Sequence, residues 1–158
     1  MRDLPGYDGP MATWPRVEAM PHAAETLATL QSGWLIALAT NAAASDETQI
    51  RAALARVGLA HYFDAIYCFR AIGYKKPSAE FFAYILNDLG IPATSAIMIG
   101  DDFETDVVGA NRCGIRAVWL NTVSNEARRG EMFETIHDLS ELPQALAGFL
   151  HTGGDAPR

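Results

Sequence analysis

The stretch IMIGDDFETDVVGANRCGIRAVWLN, residues 97–121, decides the fold. It begins inside an apolar run, Ala96–Ile99, that ends in Gly100-Asp101-Asp102. A helix-period segment follows, Glu104–Cys113, with Val107, Val108 and Ala110 as its apolar positions. Gly114 then separates it from a second apolar run, Ala117–Leu120. Strand, helix, glycine, strand over so short a span is the unit from which parallel sheets are built.

The same beat recurs toward the N-terminus. Helix-period segments run over His22–Ser32, Asp46–Val57 and Ser78–Leu89, followed by Gly33, Gly58 and Gly90. Glycine just past a helix accepts the left-handed conformation that strains other residues. Apolar runs at Trp34–Ala39 and Ala65–Phe69 are continuous rather than alternating, as in strands covered on both faces. A weaker strand near Thr135–His137 and a helix over Glu141–Leu150 close the series. The pattern predicts an α/β fold: a Rossmann-like three-layer sandwich with a mainly parallel sheet, occupying residues 21–151. Residues 1–20, with Pro5, Gly6, Gly9, Pro10 and Pro15, show no period and are expected to form an irregular arm. Residues 152–158 are expected to be a flexible tail.

Composition narrows the function. With 158 residues, 49% hydrophobic and 20% charged, the chain can bury a core as one domain. The 12 Lys+Arg against 19 Asp+Glu give a net charge of −7, which argues against nucleic-acid and anionic-membrane partners. Two cysteines, Cys68 and Cys113, are too few for a disulfide framework and suggest a reducing compartment, the cytoplasm. The longest apolar stretch, Trp34–Ala39, is far short of the about 20 residues of a membrane span, and the opening MRDLPGYDGP lacks a secretory apolar core.

In open α/β sheets, ligands bind beyond the carboxyl ends of the strands. The reactive polar groups of this chain fall there. Strand Trp34–Ala39 runs into Thr40-Asn41, offering a hydroxyl and an unpaired backbone N–H to an anion; taken singly, the pair is also an ordinary strand end with an Asn turn. Lys76 precedes Pro77, which suits a first helical turn, so the lysine is expected at a helix N-terminus, where a cation makes sense beside a bound anion. A screened, solvated lysine is the plain alternative, and the better reading for Lys75. Asp101, Asp102, Glu104 and Asp106 crowd four carboxylates into six residues, which repel unless a cation neutralises them. Hard oxygen donors of this kind suit Mg²⁺, although helix capping accounts for Asp102 or Glu104 by itself.

Together these sites resemble the haloacid dehalogenase-like (HAD) hydrolase superfamily. The matching stretches are LIALATN, residues 35–41, GYKKPSAEFF, residues 73–82, and residues 97–121 quoted above, and the likeness extends over about residues 20 to 150. The resemblance implies a Mg²⁺-dependent hydrolase, a phosphatase rather than a dehalogenase, acting on a small phosphorylated molecule. It implies that Thr40 and Asn41 bind the phosphoryl group, that Lys76 neutralises it and orients the nucleophile, and that Asp101 and Asp106 hold Mg²⁺, with Asp102 beside them.

One motif of the family is missing. Its nucleophile and its general acid/base lie in an Asp-x-Asp pair at the end of an apolar strand, and no Asp-x-Asp occurs in these 158 residues. Asp3 and Asp8 follow no apolar run, Asp46 has the setting of a helix cap, and Asp64 opens a strand. The family's central first strand is therefore expected to be absent, with little or no cap domain. The strands bearing Thr40 and Asp101 must then pair directly, take up part of the arm, or receive a strand from another chain or copy. The alternatives to a hydrolase are a non-catalytic phosphate- and Mg²⁺-binding or interaction module, a pseudoenzyme, and a truncated protein of the family completed by another chain.

Overall fold

The computed structural model describes residues 9–152. Asp3, Asp8 and residues 153–158 of the tail expected over 152–158 lie outside the described residues, while Thr152 closes the last helix rather than opening the tail. Five strands are present among them: β1 (Ala37–Thr40), β2 (Ala65–Cys68), β3 (Ile97–Gly100), β4 (Arg116–Leu120) and β5 (Phe133–Ile136). The principal helices are α1 (Ala23–Leu30), α2 (Glu47–Arg56), α3 (Phe69–Ile72), α4 (Ala79–Leu89), α5 (Gly109–Arg112) and α6 (Leu142–Thr152).

Local chemistry sets the helix ends. Asp46 accepts from the Gln49 N–H while the Gln49 side chain accepts from the Asp46 N–H, a reciprocal cap that starts α2. Ser78 caps α4, which stops at Gly90 with φ +65°. Gly33, unlike Gly58, Gly90 and Gly114, does not take a positive φ, because α1 ends earlier at Gln31. The segment expected as a continuous helix over Glu104–Cys113 is instead a π-helical turn, Phe103–Val108, that passes into α5.

The α/β expectation holds, with one division inside it. All strand pairs are parallel, but they form two sheets, β1-β2 and β3-β4-β5. Side chains on alternate faces nevertheless build common layers. On one side Leu30 of α1 and Leu142, Ala145 and Leu146 of α6 pack on Val118, Leu120 and Ile136, with Ile36, Ile97 and Ile99 against the same cluster. α2 adds Ile50 on Ile66 and Cys68. On the other side Phe81 and Phe82 of α4 meet Val107, Ala110, Ala117 and Trp119, with Ala39 and Met98 against them. Each fully buried side chain of this kind contributes about 1.5–3 kcal/mol, so the two sheets are held in one middle layer by helices rather than by hydrogen bonds to each other.

Burial marks the division. β4, flanked by two strands, is buried from Ala117 to Leu120. β1 and β3 each have a single strand partner and are only half-buried at all four positions, so neither is the fully covered strand that its apolar run predicts. Direct pairing of β1 with β3 does not occur. The described part of the arm does not pair with them either. It lies along α2, where Arg56 donates to the carbonyls of Ala12, Trp14 and Pro15, and the Met11 N–H meets Ser45 Oγ at 3.3 Å. No helix among the described residues is long and apolar enough to cross a membrane, and both cysteines are free thiols.

Candidate functional site

The carboxyl ends of β1 and β3 meet at one side chain. Lys76 Nζ donates to the Ala39 carbonyl of β1 at 2.9 Å and lies 2.7 Å from Asp106 Oδ1. Both charged side chains are nearly sealed, at 10% and 6% exposure. Asp106 is placed by the π-helical turn and by Gly100: a Cβ on Gly100 would come within 2.1 Å of Asp106 Oδ2, so the carboxylate rests directly against the strand-end backbone. The same Oδ2 accepts the Asp102 N–H at 3.2 Å. Lys76 thus bridges the carboxyl end of β1 and the turn that follows β3.

The anion beside Lys76 is a carboxylate of the chain itself, and its setting differs from the expected helix terminus. α4 begins at Ala79 with Ser78 as its cap, so Pro77 stands outside the first turn and Lys76 two residues ahead of the cap. Asn41 holds the lysine's backbone instead: its Oδ1 accepts the Lys76 N–H at 2.8 Å and its Nδ2 donates to the Lys76 carbonyl at 3.0 Å. The following peptide, Lys76-Pro77, is cis. Pro77 packs against α5 so closely that a Cβ on Gly109 would lie 2.7 Å from Pro77 Cβ. Lys75 is exposed, with its ammonium 4.5 Å from the centre of the Phe69 ring.

Thr40 ends β1 half-buried, and its Oγ1 accepts the Ala42 N–H at 3.2 Å, which leaves its own proton to donate. Asp101 is exposed at the end of β3, and its carbonyl takes the Trp119 indole N–H at 3.0 Å. Asp102 is the N-cap of the π-helical turn, its Oδ1 accepting the Thr105 N–H at 2.8 Å. Hydrogen bonds from Thr105 hold its carboxyl below the usual range. Of the four crowded carboxylates, then, Asp102 is engaged as a cap and Asp106 is neutralised by Lys76.

No group of three or more His, Cys, Asp or Glu side chains suited to a metal ion exists among the described residues. The donors at the strand ends are Asp101 and, behind it, Asp106. Mg²⁺ takes only one or two protein carboxylates and fills its remaining positions with water and phosphate oxygens, so this donor set fits such an ion. The sequence motifs named the polar groups but not what seats them. Gly100 stands in the motif directly before the Asp pair, but the sequence assigns no seating role to it, to Gly109 or to the Trp119 indole.

Comparison with known proteins gives the family. A sequence model of haloacid dehalogenase-like hydrolases matches residues 7–120. The glyceraldehyde 3-phosphate phosphatase of Methanothermobacter thermautotrophicus is 27% identical over 133 residues, 80% of this chain and 58% of that protein. The pyrimidine 5'-nucleotidase YjjG of Escherichia coli is 33% identical over 129 residues, 80% of this chain and 56% of that protein. Among solved structures, an uncharacterized protein from Listeria monocytogenes serotype 4b superposes with a TM-score of 0.78 at 34% identity, covering 90% of this chain and 86% of that one. A HAD phosphatase from Thermococcus onnurineus gives a TM-score of 0.68 at 32% identity, over 82% and 59% of the two chains. The chain spans about half the length of the curated relatives it matches. With a family match over most of its length and with lysine, threonine and carboxylates gathered at the ends of parallel strands, the chain belongs to the haloacid dehalogenase-like hydrolases.

Proposed function

We propose that this chain forms the phosphate-anchoring part of a Mg²⁺-dependent phosphatase site for a small phosphorylated molecule, in the cytoplasm. The observation that carries the reading is the buried Lys76 ammonium, held between the Ala39 carbonyl of β1 and Asp106 of the turn after β3. Phosphoryl transfer asks a protein mainly for positioning and for neutralisation of charge on the phosphoryl oxygens. The Thr40 hydroxyl and the Asn41 backbone N–H donate to those oxygens, and Lys76 balances their charge. Asp101 and Asp106 are the residues that would hold Mg²⁺, with Asp102 orienting the turn between them. When bound, the ion supplies further neutralisation of phosphate charge. The names of the relatives, among them a ribulose-1,5-bisphosphate 5-phosphatase and a phosphoserine phosphatase, favour phosphate esters over haloacids.

Hydrolysis through a covalent intermediate also needs a carboxylate nucleophile, and no Asp-x-Asp exists in the 158 residues. The reading assigns that group to a strand from outside these residues, seated between β1 and β3 and donated by a different chain or by further sequence of the same protein. Unpaired strand edges of this kind favour such an addition. The missing motif also supports a second reading, a non-catalytic module that binds phosphate and Mg²⁺.

One experiment separates the two. Clean protein is expected to bind orthophosphate in the presence of Mg²⁺ without turning over p-nitrophenyl phosphate. Fusing an apolar strand that ends in Asp-x-Asp ahead of the arm is expected to create turnover, which Asp101→Asn then abolishes. A folded fusion that binds phosphate yet never turns over favours the module, and absence of phosphate binding rejects both.

A further inference from the structure

We infer that the Asn41 side chain is the positioning residue for Lys76, fixing the backbone from which the ammonium bridges the end of β1 and the turn after β3. A carboxamide is the one uncharged side-chain group with both an N–H donor and a C=O acceptor in a plane, and here both are used on a single residue: Oδ1 on the Lys76 N–H and Nδ2 on the Lys76 carbonyl. The pairing matters because Lys76 belongs to no helix or strand, so neither ladder fixes its backbone. A long lysine side chain carries much rotamer freedom, and its ammonium is useful only where the peptide below it is held. The two contacts of the ammonium, 2.9 Å to the Ala39 carbonyl and 2.7 Å to Asp106, are both short enough to be lost if that peptide moves.

The inference sharpens the proposed function by giving the Asn41 side chain a target other than the phosphate. It rests on that reading only for the consequence in anion binding; the clamp itself is tested without any anion. In the unliganded wild-type protein the Lys76 amide is expected to exchange about tenfold or more slower than unstructured backbone, although it lies in a loop. Free exchange there would overturn the inference.

The second measurement follows the Lys76 ammonium by ¹⁵N NMR in variants. Asn41→Ala is expected to shift the Nζ signal and to expose it to solvent exchange. In Asn41→Asp the ionised carboxylate keeps the acceptor but faces the Lys76 carbonyl with no donor. Acidification restores an O–H donor beside a C=O acceptor, so as the pH falls through the titration of the introduced group the Nζ signal is expected to converge on that of wild type at the same pH, where Asp106 is the carboxylate facing the ammonium in both proteins. A role limited to filling space predicts no such pH-dependent rescue. An Nζ signal unchanged in Asn41→Ala, or indifferent to pH in Asn41→Asp, would overturn the inference even if phosphate binding were intact. Should Asn41→Ala fail to fold, the wild-type exchange and the Asn41→Asp titration still decide it.

Discussion

Replacing Gly100 by alanine tests whether Asp106 is seated by the absence of a side chain. The added Cβ would lie 2.1 Å from Asp106 Oδ2, 2.3 Å from its Cγ and 2.4 Å from its Cβ. Favourable heavy-atom contact begins near 3.5 Å, so the carboxylate must retreat by about 1.4 Å or the strand must bend. Gly100 has no positive φ, so the backbone itself tolerates alanine and the clash is the whole effect. Overpacking of this sort costs about 1–3 kcal/mol, and the charged contacts at 2.7 Å to Lys76 and 3.2 Å to the Asp102 N–H are strained with it. The expected destabilisation is about 2–4 kcal/mol. With an m-value near 2 kcal/mol/M in urea, the midpoint falls by about 1–2 M at unchanged slope. Gly33→Ala is the control, because nothing lies within 4 Å of a Cβ there and φ is not positive; its stability should stay within about 0.5 kcal/mol of wild type. A Gly100→Ala protein as stable as the control would refute the packing argument.

Other consequences can be checked on the same protein. Asp106→Asn leaves the buried Lys76 charge without its partner and is expected to cost about 3 kcal/mol in urea unfolding, while Lys76→Met combined with Asp106→Leu recovers most of the loss. His22 lies 3.1 Å from Glu25 and 3.8 Å from Asp138, and the hydrogen bond to Glu25, then the Asp138 charge, raises its pKa above 6.5. The charged form is therefore favoured by folding: its stabilisation is complete below pH 6.5 and is lost as pH rises through the higher folded value. The Tm difference between wild type and His22→Gln should shrink over that window, and a constant difference would contradict it. Arg56→Ala removes the donor to three arm carbonyls, so limited proteolysis near Trp14 should accelerate while the domain stays folded.

How much of this was legible in the sequence follows from what each signal measures. Helix period and glycine punctuation report local geometry, and they locate the five strands and the main helices to within a few residues, except α3, whose first residue, Phe69, they place in the strand run Ala65–Phe69. They could not separate a π-helical turn from an α-helix over the six residues Phe103–Val108, because the difference in period is small and the choice serves to bring Asp106 against Gly100. The apolar runs of β1 and β3 promised full burial, yet both stay half-buried with one strand partner each, whereas β2, also paired on one side alone, is covered by Ile50 of α2. Lys76 was singled out through Pro77 and the helix dipole. In the structure α4 begins only at Ala79, and it is the Asn41 side chain that holds the Lys76 backbone and Asp106 that pairs with its ammonium. The carboxylate cluster looked uniform as a string of letters; in space Asp102 turns back to cap its own segment, and Asp106 turns inward to the lysine.

The most direct test of the central claim is calorimetric titration of the purified chain with orthophosphate, in Mg²⁺ and in EDTA, for wild type and Lys76→Met. The account predicts saturable one-to-one binding that Mg²⁺ strengthens and that Lys76→Met weakens by tenfold or more, about 1.4 kcal/mol. Binding that is absent, or equal in wild type and a folded Lys76→Met protein, would contradict it.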